Sequence, residues 1–505
     1  MPFDELPGIQ SFAYGQYQGL WVIIGGRVEG LHRRQPFAAF LPEKSNTEII
    51  VIDPVEKKIW RTPLTSLSLP LQDQLSSTNM EFHQDGDYLY LVGGYGHSQT
   101  IGSKLTYALL TAVDLRGVIY AVQHQSTLAP FFRQLTDKQF AVTGGNMVKL
   151  DSMYYLIGGH NFIGDYNPAN NPTFTQSYTN AIRRFTLNDD GINLKVTHLP
   201  TIVDTSAFHK RDFNLVPQFF PDGNQGFTAF SGVFQLQADI PMLQAVNISA
   251  DGNEVVPGFA QYYNHYHCAN LPLYSSSTGE MHTVFFGGIS QYFEHDGLLT
   301  EDVDIPFVNT IARVTRDQNG HMAEYKLPVE LPALLGASAA FIRTPGIPMF
   351  ENGVIKLDEL SMDSTFAGYI YGGIKSSAPN IFWINEGEES IAQNRVYKVY
   401  VVKHPNTSNH KLNTQSINGS QLQIHTTSTE KTFTFNYHHQ PSQKVMLTVT
   451  TKKGKILLQD DLSNQLSPGH NVFTRKIKSF KIGKAYLVTL TTNGIDAVQR
   501  VMAKE

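Results

Sequence analysis

Apolar residues along this chain come in short bursts. Six bursts, at 20–24, 88–92, 154–157, 227–230, 283–286 and 369–371, each stop at a pair of small residues: Gly25-Gly26, Gly93-Gly94, Gly158-Gly159, Ser231-Gly232, Gly287-Gly288 and Gly372-Gly373. A burst this short, bounded by turn residues, predicts a strand buried on both faces. Paired glycines allow positive φ and close approach by neighbouring backbone. The first members of the pairs lie 68, 65, 73, 56 and 85 residues apart.

Each burst has companions. A strand is expected before it, at 10–13, 79–83, 139–143, 213–216, 266–271 and 336–342, and another beyond a loop, at 48–52, 110–113, 181–185, 243–247, 310–314 and 396–400. A fourth follows in most repeats, as at 58–60 and 323–327, with hairpin turns such as Asp189-Asp190-Gly191, Asp251-Gly252 and Asn319-Gly320 between third and fourth. Four antiparallel strands per unit predict an all-β fold, with a six-bladed β-propeller over residues 1–404. The sixth repeat lacks a fourth strand, and 3–6 is expected to supply it and so close the ring. The Gly-Gly signature resembles the Kelch repeat, departing from it at Ser231 and in loops that lengthen each unit beyond the ~50 residues of a compact repeat.

Residues 405–415 are polar and read as a linker. Alternating patterns resume at 422–425, 432–437, 444–450, 455–458, 471–476, 485–491 and 496–502, which predicts a small β-sandwich over 416–505. Three stretches, Thr448-Val449-Thr450-Thr451-Lys452-Lys453-Gly454-Lys455-Ile456, Leu466-Ser467-Pro468-Gly469-His470-Asn471 and Phe480-Lys481-Ile482-Gly483-Lys484-Ala485-Tyr486-Leu487-Val488, resemble the C-terminal sorting domain of the bacterial type IX secretion system of Bacteroidota. An ordinary immunoglobulin-like accessory module is the other reading. The whole chain also resembles exported Kelch proteins of Bacteroidota, through Leu6-Pro7-Gly8-Ile9-Gln10-Ser11, Gly25-Gly26-Arg27-Val28-Glu29-Gly30-Leu31-His32-Arg33-Arg34-Gln35-Pro36-Phe37 and Phe220-Pro221-Asp222-Gly223. These resemblances imply export, display on or release from the cell surface, and contact with the type IX machinery. Met1-Pro2-Phe3-Asp4 opens no signal peptide, which keeps a cytoplasmic protein as the alternative unless a leader has been removed.

Composition adds three points. Charged residues are 16% of the chain and no apolar run reaches transmembrane length. Residues 404–505 carry 13 Lys/Arg against 5 Asp/Glu, a net +8, which leaves −13 for the rest. An acidic body of this kind repels phosphate, so no nucleic-acid partner is expected. Cys268 is the only cysteine, which excludes an intramolecular disulfide.

Candidate chemistry concentrates in the loops between second and third strands, because function gathers on loops over a rigid scaffold. Arg27, His32, Arg33 and Arg34 offer guanidinium forks for an anion such as a carboxylate, or else pair within their own loop. Tyr95, His97, His160, Tyr166, Tyr292, His295, Asp296 and Trp383 combine aromatic faces with polar edges, which suits a sugar and equally suits loop packing. His265 and His267 would share one face of a strand and offer copper or zinc two imidazoles, while Cys268 points away. The alternative is a set of hydrogen-bonded groups lining a central channel. Glu81, His209, Arg211 and Asp212 lie near the starts of inner strands as an acid/base set, and Ser11, Asn79, Thr143, Asn214 and Ser338 read as polar channel filler.

The expected role is a surface protein that binds a carbohydrate or protein ligand, with no cofactor and no catalysis. The alternative is an enzyme acting on sugars at the channel, either isomerase- or mutarotase-like or a metal-dependent oxidase needing a Tyr–Cys268 cross-link, by analogy with other Kelch folds.

Overall fold

The computed structural model describes the chain except residues 1–2, 4, 169–172, 296–297, 404–409, 412–422, 428–431, 440–444, 452–454, 466–468, 478–483, 493–494 and 503–505. Most of the expected linker, Asp296 and parts of all three sorting-domain stretches therefore lie outside the described residues. The chain divides into two compact units, 1–289 with 307–410, and 290–306 with 411–505.

The first unit carries one mainly antiparallel sheet for each glycine pair, besides a further sheet formed by its loops. Four contain a meander of four strands: Ala13–Tyr17, Leu20–Ile24, Glu48–Asp53, Lys58–Pro63; Glu81–Asp85, Tyr88–Val92, Leu109–Asp114, Phe132–Thr136; Asn146–Leu150, Met153–Ile157, Ala181–Asp189, Leu194–His198, where Ile202–Val203 adds a fifth strand against Ala181–Asp189; and Asn214–Phe219, Gln225–Phe230, Val246–Ser249, Gly252–Val255. The fifth pairs Ala269–Ser275, Glu280–Ile289, Phe307–Arg316 and Met322–Glu330, and adds Ile355–Lys356 in parallel at its edge. In the sixth, Thr365–Ser376 lies between Leu335–Arg343 and Val396–Val401.

The burst strands are the buried centres of these sheets: Ile23, Ile24, Leu91, Val92, Ile157, Phe230, Phe285 and Tyr371 are all fully buried. Both residues of every pair adopt positive φ, including Ser231 at 58°. In four of the pairs the second residue's N–H reaches the segment leading into another sheet: Gly26 donates to the Ser77 carbonyl (2.8 Å), Gly94 to Val142 (3.0 Å), Gly159 to Lys210 (2.8 Å) and Gly373 to Ile9 (2.9 Å).

A second set of bonds runs around the unit. Ser11, Asn79, Gly144, Asp212 and His267 each stand two residues ahead of a first strand, and Ser338 lies within one; all six are left-handed. Asn79 N–H donates to the Ser11 carbonyl (3.1 Å), Gly144 to Asn79 (3.3 Å), Asp212 to Gly144 (2.7 Å), Ser338 to His267 (2.6 Å), and Ser11 back to Ser338 (3.3 Å). Asn214 bridges between the fourth and fifth sheets, donating to the His265 carbonyl (2.7 Å) and accepting from Cys268 N–H (3.0 Å).

These left-handed residues correct the sequence reading. First strands begin after them, at 13 rather than 10 and at 269 rather than 266; in the third repeat 138–140 is a 3-10 turn and the strand is Asn146–Leu150. Phe3, Glu5 and Leu6 lie in no strand, so the expected fourth strand is not found there: Leu6 N–H donates to the Phe3 carbonyl (3.1 Å), and Phe3, Leu6 and Ile9 pack among Trp21, Ile342, Tyr369 and Val396. A helix, Leu115–His124, was also not expected. It is capped by Asp114, which accepts from Gly117 N–H, and it buries Leu115, Val118 and Val122 against Val22, Ile49 and Val51 of the first sheet.

The second unit holds two sheets sharing a core of Val445, Leu447, Val449, Tyr486, Val488 and Leu490, onto which Phe473 packs. One sheet comprises Gln423–Thr427, Thr432–His439 and Gly469–Lys476. The other carries Ile456–Asp461, Val445–Thr451, Ala485–Thr492 and Ile495–Met502, and is extended by a hairpin inserted far upstream, Tyr292–His295 and Leu298–Asp302, whose second strand pairs in parallel with Ile495–Met502. Among the described residues no helix is long and apolar enough to cross a membrane.

Candidate functional site

Two of the long loops are themselves sheet. Tyr95–Ser98 and Ser103–Thr106 from the second repeat join His160–Gly164 and Phe174–Tyr178 from the third in one four-stranded antiparallel layer. Phe162 is its apolar anchor, stacked on Phe174 (4.6 Å) and edge-on to Tyr95 (5.2 Å).

Arg211 stands beside the ring of left-handed residues, its backbone bridged to Val233 in both directions (2.8 and 3.0 Å). Its Nη1 donates to Asp212, its guanidinium lies 5.2 Å from the Phe234 ring centre, and its buried Nε has no hydrogen-bond partner among the described residues. Asp212 also accepts from Asn79 Nδ2 (3.2 Å) and lies 3.9 Å from His267 Nδ1. Aspartate tolerates the left-handed conformation better than most residues. Gly144 is required opposite, since a Cβ there would fall 3.0 Å from Asp212 Oδ1 and 3.2 Å from Arg211 Cβ.

The charges follow from this packing. Burial works against the Arg211 cation, but Asp212 and then Tyr178, Tyr266 and Tyr166 outweigh it and hold the guanidinium charged. Burial likewise works against ionised Asp212, and Arg211 overrides it, so the carboxyl titrates below its ordinary range. The imidazoles go the other way: burial pushes His160 down to about 3 and His32 to about 4, and lowers His267. At neutral pH the cluster therefore holds one ion pair among neutral imidazoles and phenols. Remaining guanidinium N–H groups suit a carboxylate, while imidazoles and phenols suit hydroxyls.

Of the sequence candidates, His32, Tyr95, His160, Tyr166 and Arg211 come together. His32 stacks on Phe40 (4.5 Å) and meets Tyr166 edge-on (4.6 Å), Tyr95 donates to the Gly164 carbonyl (2.7 Å), and His160 Nδ1 accepts from Gln176 Nε2 (2.6 Å). Arg27 borders this group but is committed, buried with Glu29 and donating to the Leu41 carbonyl (3.0 Å). Arg34 lies over exposed Trp383 (5.7 Å), and Arg33 packs against Gly387. His97 sits in the loop sheet opposite Lys104. Tyr292 belongs to the second unit, as does His295.

The acid/base set separates. Arg211 and Asp212 pair, but Glu81 turns Oε1 to Gly145 N–H (2.7 Å), with burial raising its pKa well above the usual value, and His209 stacks on Tyr178 (4.0 Å) and bonds Asn180 (2.9 Å). Tyr178, Tyr266 and Lys210 are further residues here that sequence reasoning passed over. Lys210 is wholly buried, its Nζ lacks a hydrogen-bond partner among the described residues, and burial lowers its pKa to about 7. Its neighbour Arg211 was the available signal.

The expected histidine pair does not form. Residues 261–268 are irregular rather than a strand, and left-handed His265 and His267 (φ 46° and 49°) break the period of two. His265 is buried with Nδ1 on the Gly287 carbonyl (2.5 Å) and its ring stacked on Phe285 (5.9 Å), whereas His267 faces Ser338 Oγ (3.2 Å). The geometric argument for copper or zinc at these two residues is thereby removed. Among the described residues no group of three or more His, Cys, Asp or Glu is placed to hold a metal ion. Buried Cys268 points its thiol at the Ala269 carbonyl (3.3 Å), and burial raises its pKa to about 12.

No family model matches the chain, and no curated protein matches it. A solved structure described as that of YjhT resembles it at 12% identity, with a TM-score of 0.43, over 81% of this chain and 99% of that one.

Proposed function

We propose that the six sheets are the blades of a Kelch-type β-propeller, and that its glycine-pair end binds an acidic carbohydrate, with the sugar carboxylate on Arg211. The circular order of hydrogen bonds, from the first sheet onward and back from Ser11 to Ser338, supports the propeller reading. One observation carries the binding reading: a partly exposed guanidinium, tied to Asp212 through one nitrogen, is surrounded by His32, His160, Tyr166, Tyr178 and Tyr266. Arginine offers two parallel N–H donors to a carboxylate, and aromatic and imidazole groups present faces and polar edges to a sugar ring.

The chain is read as exported through its C-terminal unit by the type IX machinery and displayed or released at the surface. This rests on the sequence resemblance alone. Calorimetric titration with glucuronate and galacturonate, against glucose and galactose, tests the ligand. Saturable uronate binding is expected, at least tenfold weaker for the neutral sugars and lost in Arg211→Gln. Equal affinity for acid and neutral sugar, or binding untouched in Arg211→Gln, overturns the assignment. The enzymatic alternative has Asp212 and His267, 3.9 Å apart, as its acid–base pair, and would appear in the same samples as turnover by proton NMR.

A further inference from the structure

A second arginine, Arg316, stands in a different part of the first unit with no carboxylate paired to it among the described residues. It ends the strand Phe307–Arg316 and is 3% exposed. Its Nη2 donates to Asn247 Oδ1 (2.7 Å) and Thr228 Oγ1 (3.0 Å), and its guanidinium lies 5.1 Å from the Phe220 ring centre. Among the described residues its buried Nε has no hydrogen-bond partner and no charged group offsets its burial. Burial alone lowers its pKa, to about 10, so it stays a cation at neutral pH. Buried charges in proteins are ordinarily paired, because an unpaired one forfeits its hydration with nothing in return.

This cation borders a cavity of about 520 Å³, within the ~300–1,000 Å³ of small-molecule sites. Phe220 and Asn247 line it beside Arg316, and Asp222, Asp251 and Glu254, all exposed, contribute its acidic side. Asp222 is committed to Asn224, whose N–H and Nδ2 it accepts at 2.9 Å each. The cavity thus sets one buried guanidinium against three carboxylates. A dianion would meet net repulsion, and a simple cation would leave Arg316 unanswered. A molecule bearing both charges satisfies both sides.

We propose that this cavity binds a small zwitterion of the free α-amino acid class, its carboxylate on Arg316 and its ammonium toward Asp251 and Glu254. The site is separate from the Arg211 cluster. In the fourth sheet Arg211 bridges Val233 at one end, whereas Phe219 pairs with Gln225 at the other. The strand Asn214–Phe219 between those ends rises about 17 Å on its own.

The test is a thermal-shift screen of the full chain with each common α-amino acid, followed by calorimetry on the best binder, its amide and its N-acetyl derivative. Saturable binding is expected, with the amide, which lacks the carboxylate, and the N-acetyl compound, which lacks the ammonium, each at least tenfold weaker. Arg316→Gln is expected to abolish binding and Arg211→Gln to leave it unchanged. Should Arg316→Gln fail to fold, the exposed double variant Asp251→Asn/Glu254→Gln decides: it should weaken the amino acid at least tenfold while leaving the N-acetyl compound as it was. The proposal is overturned if no amino acid binds, if the amide binds equally well, or if binding depends on Arg211 instead.

Discussion

A Cβ built on Gly93 would fall 1.9 Å from the Val142 carbonyl oxygen, the same oxygen that accepts the Gly94 N–H. Gly86 has a similar φ, +58° against +64°, yet nothing among the described residues lies within 4 Å of its would-be Cβ. The two positions separate backbone strain from steric exclusion. Gly86→Ala is expected to cost about 1 kcal/mol, the left-handed penalty alone, and Gly93→Ala at least ~3 kcal/mol, since the next sheet must retreat; urea denaturation of both variants measures the difference. Glu324 gives a residue-scale prediction in pH. Its Oε2 accepts from the Tyr262 and Tyr263 N–H groups (2.9 and 3.2 Å), its Oε1 is buried with no hydrogen-bond partner among the described residues, and burial raises its pKa from 4.5 to about 8. The folded state then holds a proton that the unfolded state has released. The stabilisation is fully present below pH 4.5 and is lost as pH rises through about 8. Denaturation midpoints measured from pH 5 to 9 should fall across this window, and Glu324→Gln should remove that part of the decline.

At the scale of elements, local signals were read well and distant ones poorly. The burst strands and their glycine pairs were legible because a buried strand and a positive φ each demand particular residues. First strands were placed early because Ser11, Asn79 and His267 look like ordinary polar residues, and only the neighbouring sheet makes them left-handed. The helix Leu115–His124 was hidden because Val118, Ile119 and Val122 are β-branched and equally suit a strand. Arg211 stood out as a charge beside inner strands, but Tyr178 and Tyr266 reach it from separate segments that only tertiary packing brings together. The inserted hairpin was unreadable for the same reason, since its partner is the strand Ile495–Met502. That pairing covers the edge of the C-terminal sheet: Thr300, Glu301 and Asp302 oppose Val498, Gln499 and Arg500. Replacing 291–303 with a short Gly-Ser linker should uncover an edge strand. Amides of 496–502 should then lose hydrogen-exchange protection at least tenfold and the variant should self-associate in sedimentation, whereas unchanged protection would show the hairpin to be incidental.

For the first unit as a whole, hydrogen bonds that pass from sheet to sheet run through the N-terminal segment. Ser11 accepts from Asn79 and donates to Ser338, Ile9 accepts from Gly373, and the Pro7 carbonyl accepts from Tyr371 Oη (2.8 Å). Phe3, Leu6 and Ile9 fill the space between the first and sixth sheets. Deleting residues 1–10 removes these three side chains, worth roughly 5–9 kcal/mol at ~1.5–3 kcal/mol each, against the ~5–15 kcal/mol that holds a typical domain together. The deletion is therefore expected to abolish cooperative unfolding of this unit. Ile9→Ala is the graded version: the side chain is fully buried, so about 2–5 kcal/mol should be lost while the fold survives. Hydrogen exchange separates closure from local damage. If the ring couples the sheets, Ile9→Ala should accelerate the amides of Ala13–Tyr17, Leu335–Arg343 and the distant Asn146–Leu150 by a common factor, because all three open in one global event. If the sheets stand independently, the first two should accelerate alone, and the third should keep the protection it has in the unaltered chain.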